Sequence, residues 1–364
     1  MKKSSLKDKI LIPGVDTKME NVHNHAVDIS FCLPVYNVRP FVGDCISSII
    51  AACDESITYE ILCVDDGSSD GTKEILKDYA SNEPAVRVLA NEENRGVSYT
   101  RNRLMKEAVG QYIWFVDPDD LLIPDIAKDF LQEARKLNCD ILLGNYIRVP
   151  ENTQLNQKHE GKAEEECPKK TEDFLPMDAN GKVMCAIWAG LFRRDFLIKN
   201  ALFMNEKMIA QEDTLFYYEF SLRTTEIYKW EKNCYLYRQR SSSVMNSHSD
   251  VRAQKYYRSM REMLRVYQEH LEQNDYNDKE SLLRKIHHSK QNVASCLASL
   301  QDRKFIRAEL KKLKKEKVYP FKLRQETLQG GGPFVQRLLT FLLPIEPLFW
   351  AYHFVYIVRD KTRK

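Results

Sequence analysis

Tyr112-Ile113-Trp114-Phe115-Val116-Asp117-Pro118-Asp119-Asp120 carries five apolar residues straight into three acids. So short a run, rich in aromatic and β-branched side chains, predicts a strand buried on both faces. A buried strand that stops at acids has few structural uses, which points to a ligand at its carboxyl end. Upstream of it, short apolar runs alternate with helical spacing. Ile29–Val35 reads as a first strand, and Phe41, Val42, Cys45, Ile46, Ile49 and Ile50 as one face of a helix. Residues 60–64 form a second strand ending at Asp65-Asp66-Gly67. Ser68 or Ser69 is expected to cap the next helix, whose buried face is Ile75, Leu76 and Tyr79. A third strand at 86–89 and a third helix at 97–109 lead into the quoted stretch. Pro124 is expected to open a helix reaching Leu137, and 141–143 a fifth strand. This βαβαβαβαβ order predicts an α/β fold, a mostly parallel sheet flanked by helices.

Outside that block the character of the chain changes. Residues 1–28 are a polar extension with no apolar leader core, which predicts a cytoplasmic protein. Residues 29–146 form the first half and 147–250 the second, interrupted at 151–176 by a polar insertion expected to be solvated and mobile. Within the second half, 212–222 is helix-like, while 227–230 and 235–238 are strand-like. Residues 251–330 read as a helical appendage. The segment 331–364 holds Leu338, Leu339, Phe341, Leu342, Leu343, Leu348, Phe349, Trp350 and Phe354, yet Arg337, Glu346 and His353 interrupt it and Pro344 and Pro347 break it. A membrane span wants about 20 predominantly apolar residues, so this is a poor one. It fits an amphipathic tail in the membrane interface, with the basic run at 303–317 drawn to anionic lipid at the inner face of the cytoplasmic membrane. The alternative is a solvated helix face packed on a core that the tail completes.

Composition excludes several classes. The chain has 364 residues, 55 basic and 52 acidic, for a net charge of +3, which argues against a general nucleic-acid binder. Thirteen glycines without a repeat exclude collagen-like and solenoid proteins. The nine cysteines form no C-x-x-C pair and mostly sit in apolar runs, the usage of a reducing compartment.

Polar residues collect where an open parallel sheet binds its ligands, beyond the carboxyl ends of the strands. Pro34-Val35-Tyr36-Asn37 ends the first strand, Asp65-Asp66 the second and Asp117-Pro118-Asp119-Asp120 the fourth. Five carboxylates at two strand ends repel one another unless a cation or hydrogen-bond donors meet them. Asp-x-Asp is a good seat for a hard ion, Mg²⁺ or Mn²⁺, that also holds phosphate oxygens. Asn94-Arg95-Gly96 and Arg101 add positive charge. Together they describe a site for a nucleotide diphosphate.

These residues, in this order, resemble the donor-binding half of family 2 glycosyltransferases, enzymes of the GT-A fold that build polysaccharides and capsules. The matching stretches are Pro34-Val35-Tyr36-Asn37, Val64-Asp65-Asp66-Gly67-Ser68-Ser69-Asp70-Gly71, Asn94-Arg95-Gly96, Thr100-Arg101-Asn102 and Phe115-Val116-Asp117-Pro118-Asp119-Asp120. The likeness resumes at Ile187-Trp188, Leu191-Phe192-Arg193-Arg194, Gln211-Glu212-Asp213-Thr214 and 235–240, covering roughly 29–244. It implies that Pro34, Val35, Tyr36, Asn37 and Asp66 hold the base and ribose of a nucleotide, most often uridine. Asp117 would approach the ribose or the metal, Asp119 would be the main ligand of Mn²⁺ or Mg²⁺, and Arg101 would lie near the diphosphate. Asp213 would be the catalytic base. Chemistry agrees: sugar transfer needs a base for the acceptor hydroxyl and a counter-charge for the departing diphosphate. An acid at a helix start, favoured by the macrodipole, is the structural reading of Glu212-Asp213, and both can hold.

Two positions depart from the family pattern, Leu104 where Gly is common and Ala189-Gly190 where a basic residue is usual. His248 is a further candidate metal ligand. The implied reaction is inverting transfer of a hexosyl or N-acetylhexosaminyl group from a nucleotide-sugar donor to a lipid-linked or polymeric glycan acceptor. Two rivals are a phosphatase using Asp117 and Asp119, and a non-catalytic membrane-associated scaffold. A dehydrogenase is excluded, because no G-x-G-x-x-G follows the first strand.

Overall fold

The structure, a computed structural model, describes residues 27–154, 167–171, 186–240, 250–316, 318–319, 349–350 and 353. The first half alternates β1 (Ile29–Val35), α1 (Val42–Ala52), β2 (Tyr59–Asp65), α2 (Thr72–Asn82), β3 (Val86–Ala90), α3 (Val97–Glu107) and β4 (Tyr112–Phe115). Then come β5 (Leu121–Leu122), α4 (Ile126–Leu137), β6 (Ile141–Pro150), β7 (Lys169–Lys170) and β8 (Gly190–Arg193). The second half continues with α5 (Arg194–Lys199), α6 (Glu212–Ser221) and β9 (Ile227–Gln239). Three helices follow: α7 (Asp250–Gln273), α8 (Lys279–Ser299) and α9 (Arg303–Lys315).

β1 is buried at every position and lies between β2 and β4, parallel to both, with β3 outside β2. Side chains alternate across it as a pleated strand requires. Phe31 and Leu33 enter the core under α1 and α4, whereas Cys32 enters the opposite core, shared with α3 and α6. In β4 the same period puts Trp114 on the first side and Ile113 and Phe115 on the second. Helix α1 covers the first face through Val42, Cys45, Ile46 and Ile49, spaced i, i+3, i+4, i+7. Burying each such side chain contributes about 1.5–3 kcal/mol.

Beyond β4 the sheet departs from the simple alternation. β8 inserts antiparallel between β4 and β6, so the expected fifth strand is not a neighbour of the fourth. β9 pairs parallel with β6 and antiparallel with β5 and β7. It is one strand of 13 residues where two short ones were expected. β7 falls inside the predicted polar insertion. The expected cap at Ser68 or Ser69 is also corrected. Helix α2 starts after Gly71, at φ 93, and Asp70 Oδ1 accepts the Thr72 amide at 3.1 Å. Ser68 Oγ instead accepts the Asn37 amide at 3.0 Å.

Helices α7 to α9 form a third layer with its own core, which takes in Met208, Leu215 and Tyr218 from around α6. Asp278 caps α8 by accepting the Glu280 amide, and Asp302 caps α9 by accepting the amides of Lys304 and Phe305. Of the tail, Phe349 and His353 are buried, and His353 Nδ1 lies 2.9 Å from the Ala298 carbonyl oxygen. The described residues of the tail thus pack on protein. The exposed face of α9 presents Lys311, Lys312, Lys314 and Lys315. Among the described residues no helix is long and apolar enough to cross a membrane.

Candidate active site

Helix α3 begins at the carboxyl edge of the sheet, and three consecutive side chains on its first turns reach three parts of the site. Thr100 Oγ1 accepts from Asn91 Nδ2 at 3.2 Å, and the same amide nitrogen reaches Asp66 Oδ1 at 2.6 Å. Arg101 turns inward to the acids. Asn102 donates to the Met204 carbonyl and Glu206 Oε1, each at 2.9 Å, and accepts the Met204 amide at 2.7 Å. Those bonds tether the loop that leads into α6.

Arg101 is the centre of the cluster, with its side chain 5% exposed. Its Nη2 bonds Asp117 Oδ1 at 2.9 Å, and its Nη1 bonds Asp213 Oδ1 at 2.9 Å and Glu212 Oε1 at 3.2 Å. Burial opposes the guanidinium charge, but the Asp213, Asp117 and Glu212 carboxylates outweigh it and keep Arg101 charged. Asp213 Oδ2 accepts the Ile187 amide at 3.1 Å, so both its oxygens are oriented. Burial pushes Asp213 up to about 7; Arg101 opposes this, and Glu212 and Asp117 add to it. A carboxylate near 7 is poised for proton abstraction at physiological pH.

Asp119, two residues on from Asp117, feels its charge. Burial first, and then the Asp117 charge, push it up to about 6, while Arg240 forms an ion pair with its Oδ2 and pulls it down. Two crowded carboxylates offering hard oxygen donors are what a divalent cation neutralises. Asp117 and Asp119 therefore fit two positions of such an ion, with phosphate oxygens left to supply others. Among the described residues no third His, Cys, Asp or Glu joins them. His248 lies outside the described residues.

The remaining acids divide by role. Asp120 is fully buried, accepts the Arg238 amide at 2.8 Å, and is pushed well above the carboxylate range by burial and by the Asp119 and Asp117 charges. Asp65 accepts the Ser68 amide at 3.1 Å and lies 3.6 Å from Lys73 Nζ. Asp66 accepts the amides of Arg95 at 2.9 Å and Gly96 at 2.8 Å, and so fixes the 91–96 loop against the strand end. That loop passes so close to Gly67 that a Cβ there would stand 3.1 Å from the Asn94 nitrogen, and φ is 81 at this glycine. Glycine is required on both counts.

Pro34 and Val35 are buried at the end of β1, and Tyr36 projects from the rim, 48% exposed. Asn37, at φ 49, accepts the Ser69 amide at 2.8 Å and so locks the first loop to the second. The structure thus brings Arg101, Asp117 and Asp213 into direct contact, with Asp119 beside Asp117. Tyr36 and Asp66 lie at adjoining strand ends. Residues absent from the sequence-derived set are Glu212, which shares the guanidinium, Arg240, and Tyr235, whose hydroxyl accepts the Asp117 amide at 3.0 Å. All three lie in the stretches that carried the later part of the resemblance. Tyr235 also stacks on Trp188 with ring centroids 4.2 Å apart, which seats the Ile187-Trp188 turn under Asp213. Cys32, Cys45, Cys63 and Cys234 are buried with their thiols pushed up by that burial, so none of them offers a nucleophile.

Comparison with known proteins matches residues 30–200 to the family described as Glycosyl transferase family 2. The uncharacterized glycosyltransferase EpsJ of Bacillus subtilis is 29% identical over 59% of this chain and 62% of its own length. Glycosyltransferase GlyG of Streptococcus pneumoniae is 27% identical over 61% of this chain and 74% of its own. The chain thus spans less than two thirds of the length of EpsJ. Among solved structures, S. aureus TarS 1-349 in complex with UDP-GlcNAc superposes with a TM-score of 0.53. It is 21% identical, over 74% of this chain and 72% of that one, which shows a shared GT-A fold.

Proposed function

Because residues 30–200 match the family described as Glycosyl transferase family 2, we propose that the protein is a metal-dependent, inverting glycosyltransferase of that family. Its donor is a uridine diphosphate sugar, and its acceptor is a hydroxyl of a lipid-linked or polymeric glycan. The observation that carries this reading is the direct bonding of Arg101 to both Asp117 and Asp213, which joins a metal-type acid to a base-type acid. The capture of TarS with UDP-GlcNAc supports a uridine donor, with a hexosyl or N-acetylhexosaminyl group as cargo.

In the reaction, Asp213 takes the proton of the acceptor hydroxyl as its oxygen bonds to the anomeric carbon. The bond from that carbon to the diphosphate oxygen breaks, and the diphosphate leaves with the electron pair. The Ile187 amide and Arg101 hold Asp213 in one orientation through this step. A divalent ion, held by Asp117 and Asp119, would supply Lewis-acid stabilisation of the leaving charge. Arg101, buried beside Asp117, adds a fixed positive charge on the same side. Tyr36, exposed just past the end of β1, would stack on the uracil.

Attachment to the inner face of the cytoplasmic membrane would rest on the lysine face of α9, which attracts anionic lipid.

The test separates binding from chemistry. Asp213→Asn should bind UDP with Mn²⁺ as the wild type does, while transfer falls by about 10²-fold or more. Undiminished transfer in that variant would end the base assignment.

A further inference from the structure

The match to the family stops at residue 200, before the helix that carries Asp213. That helix, α6, is buried on two sides. Phe216, Tyr217 and Phe220 enter the core it shares with the sheet, whereas Leu215 and Tyr218 enter the core of α7 to α9. A helix apolar on both sides takes its position from its neighbours on each. Its first turn is reached through the loop 202–211, which runs between α3 and α7 and is bonded to both.

One peptide group of that loop is gripped from opposite ends. The Met208 carbonyl oxygen accepts the Ser98 hydroxyl of α3 at 3.1 Å. The amide of the same peptide bond, that of Ile209, donates to the Ser259 hydroxyl of α7 at 2.9 Å. Both serines are buried, and Ser259 sends its own proton to the Lys255 carbonyl oxygen at 3.4 Å, which leaves a lone pair for Ile209. One turn further along α7, Glu262 accepts from Asn205 Nδ2 at 3.0 Å and holds the start of the same loop. On α3, Ser98 stands one turn before Arg101, the side chain that bonds Glu212 and Asp213. One face of α3 therefore meets the base turn twice, at the peptide ahead of it and at the acids on it. Between those two points lies Gln211, held at φ 61. A side-chain-bearing residue keeps such a conformation where its surroundings impose it.

We propose that Ser98 and Ser259 are positioning residues for Asp213, and that they act by clamping the Met208–Ile209 peptide between α3 and α7. The inference rests on the transferase reading and adds to it a helix from outside the matched residues as a working part of the site. A peptide group is planar, so bonds at its carbonyl and at its amide fix its orientation as well as its place. Ile209 precedes Glu212 by three positions, which leaves little chain to absorb a shift of that plane. Removing either hydroxyl leaves a backbone group of the clamp without its partner, and the turn moves to find water or another bond. A displacement of about 1 Å at a reacting group costs on the order of 10²-fold in rate.

UDP release from UDP-glucose, UDP-galactose, UDP-GlcNAc and UDP-GalNAc in Mn²⁺, with water as acceptor, tests this on the full chain. UDP binding by calorimetry and a thermal melt are measured alongside. Ser259→Ala should lower kcat by about tenfold or more, while the donor KM and the UDP affinity stay within about twofold of the wild type. Ser98→Ala should do the same from the other end of the peptide. The double variant should fall no more than about threefold below either single one, because both changes release one peptide group. Ser259→Thr keeps the hydroxyl and should restore kcat. An unchanged kcat in Ser259→Ala beside a lowered melting temperature would overturn the proposal in favour of a purely structural serine. Losses that multiply in the double variant would overturn it too, as would a donor KM that rises in step with the fall in kcat. Should Ser259→Ala fail to fold, Ser98→Ala and Ser259→Thr carry the test. A wild type that binds no UDP, or releases none from any of the four donors, would count against the transferase reading itself.

Discussion

The titration of Asp213 gives the sharpest test of the site, because two neighbours act on it with opposite sign. With its carboxyl pushed up to about 7, the acidic limb of kcat/KM should bend there. Below the bend, transfer should fall about tenfold per pH unit as the base becomes protonated. Arg101 Nη1 is 2.9 Å from Asp213 Oδ1, which sets the two charge centres about 4 Å apart. At an effective dielectric near 20 that attraction is about 4 kcal/mol, or roughly three pH units of titration. Glu212 and Asp117 share the same guanidinium, so a rise of about one to two units should survive in Arg101→Gln. Glu212→Gln removes a like charge instead and should move the limb down by about one unit. The assay is UDP release in the presence of acceptor between pH 5 and 9, with unfolding followed in parallel. Arg101→Gln strands three acids and should also lose about 3–5 kcal/mol of stability, so Glu212→Gln carries the test if the first variant fails to fold. A limb that stays put in Glu212→Gln, or shifts upward, would refute the electrostatic account of the base.

Three further outcomes are expected. Asp119→Ala should weaken UDP binding by more than about tenfold in Mn²⁺ or Mg²⁺ and change it little in chelator, read by calorimetry; equal loss in both would remove the metal role. Asn102→Ala leaves the Met204 amide and carbonyl unpaired in a buried loop, so the denaturation midpoint should fall by the equivalent of about 2–4 kcal/mol, and an unchanged midpoint would show that the loop does not depend on it. His270 is raised above 6.5 by its bond to Glu219 and by Asp275. The stability it adds is therefore complete below pH 6.5 and is lost as pH rises through the elevated value, and thermal melts of His270→Gln should lack that decline.

The parallel half of the fold was legible because its strands are buried on both faces and read as unbroken apolar runs. The insertion of β8 was not, since four residues carry no mark of direction and their partners lie about 50 to 80 positions away. Local competition misled the cap of α2: Asp70, two residues past Ser68, wins the first turn once Gly71 swings to φ 93. At the site, the acids could be placed at the strand ends, and Asp213 could be singled out from its motif. Their meeting on one guanidinium could not be read, because Asp117 and Asp213 reach Arg101 from 16 and 112 positions away. Asp66 shows the same limit from the other direction. Its position at a strand end is plain in the sequence, while its acceptance of the Arg95 and Gly96 amides is a property of the folded loop.

The arrangement of α3 gives those contacts a common consequence. Thr100, Arg101 and Asn102 are adjacent in sequence and therefore leave the helix about 100° apart, on three sides. One side reaches Asn91 and through it Asp66, one reaches Asp117 and Asp213, and one reaches the Met204 loop. The helix is anchored behind them by Leu104 and Met105, both fully buried. One close-packed helix therefore tethers both the 91–96 loop and the turn that carries Asp213. Leu104 strengthens that anchor by adding a buried side chain to the core between the sheet and α3.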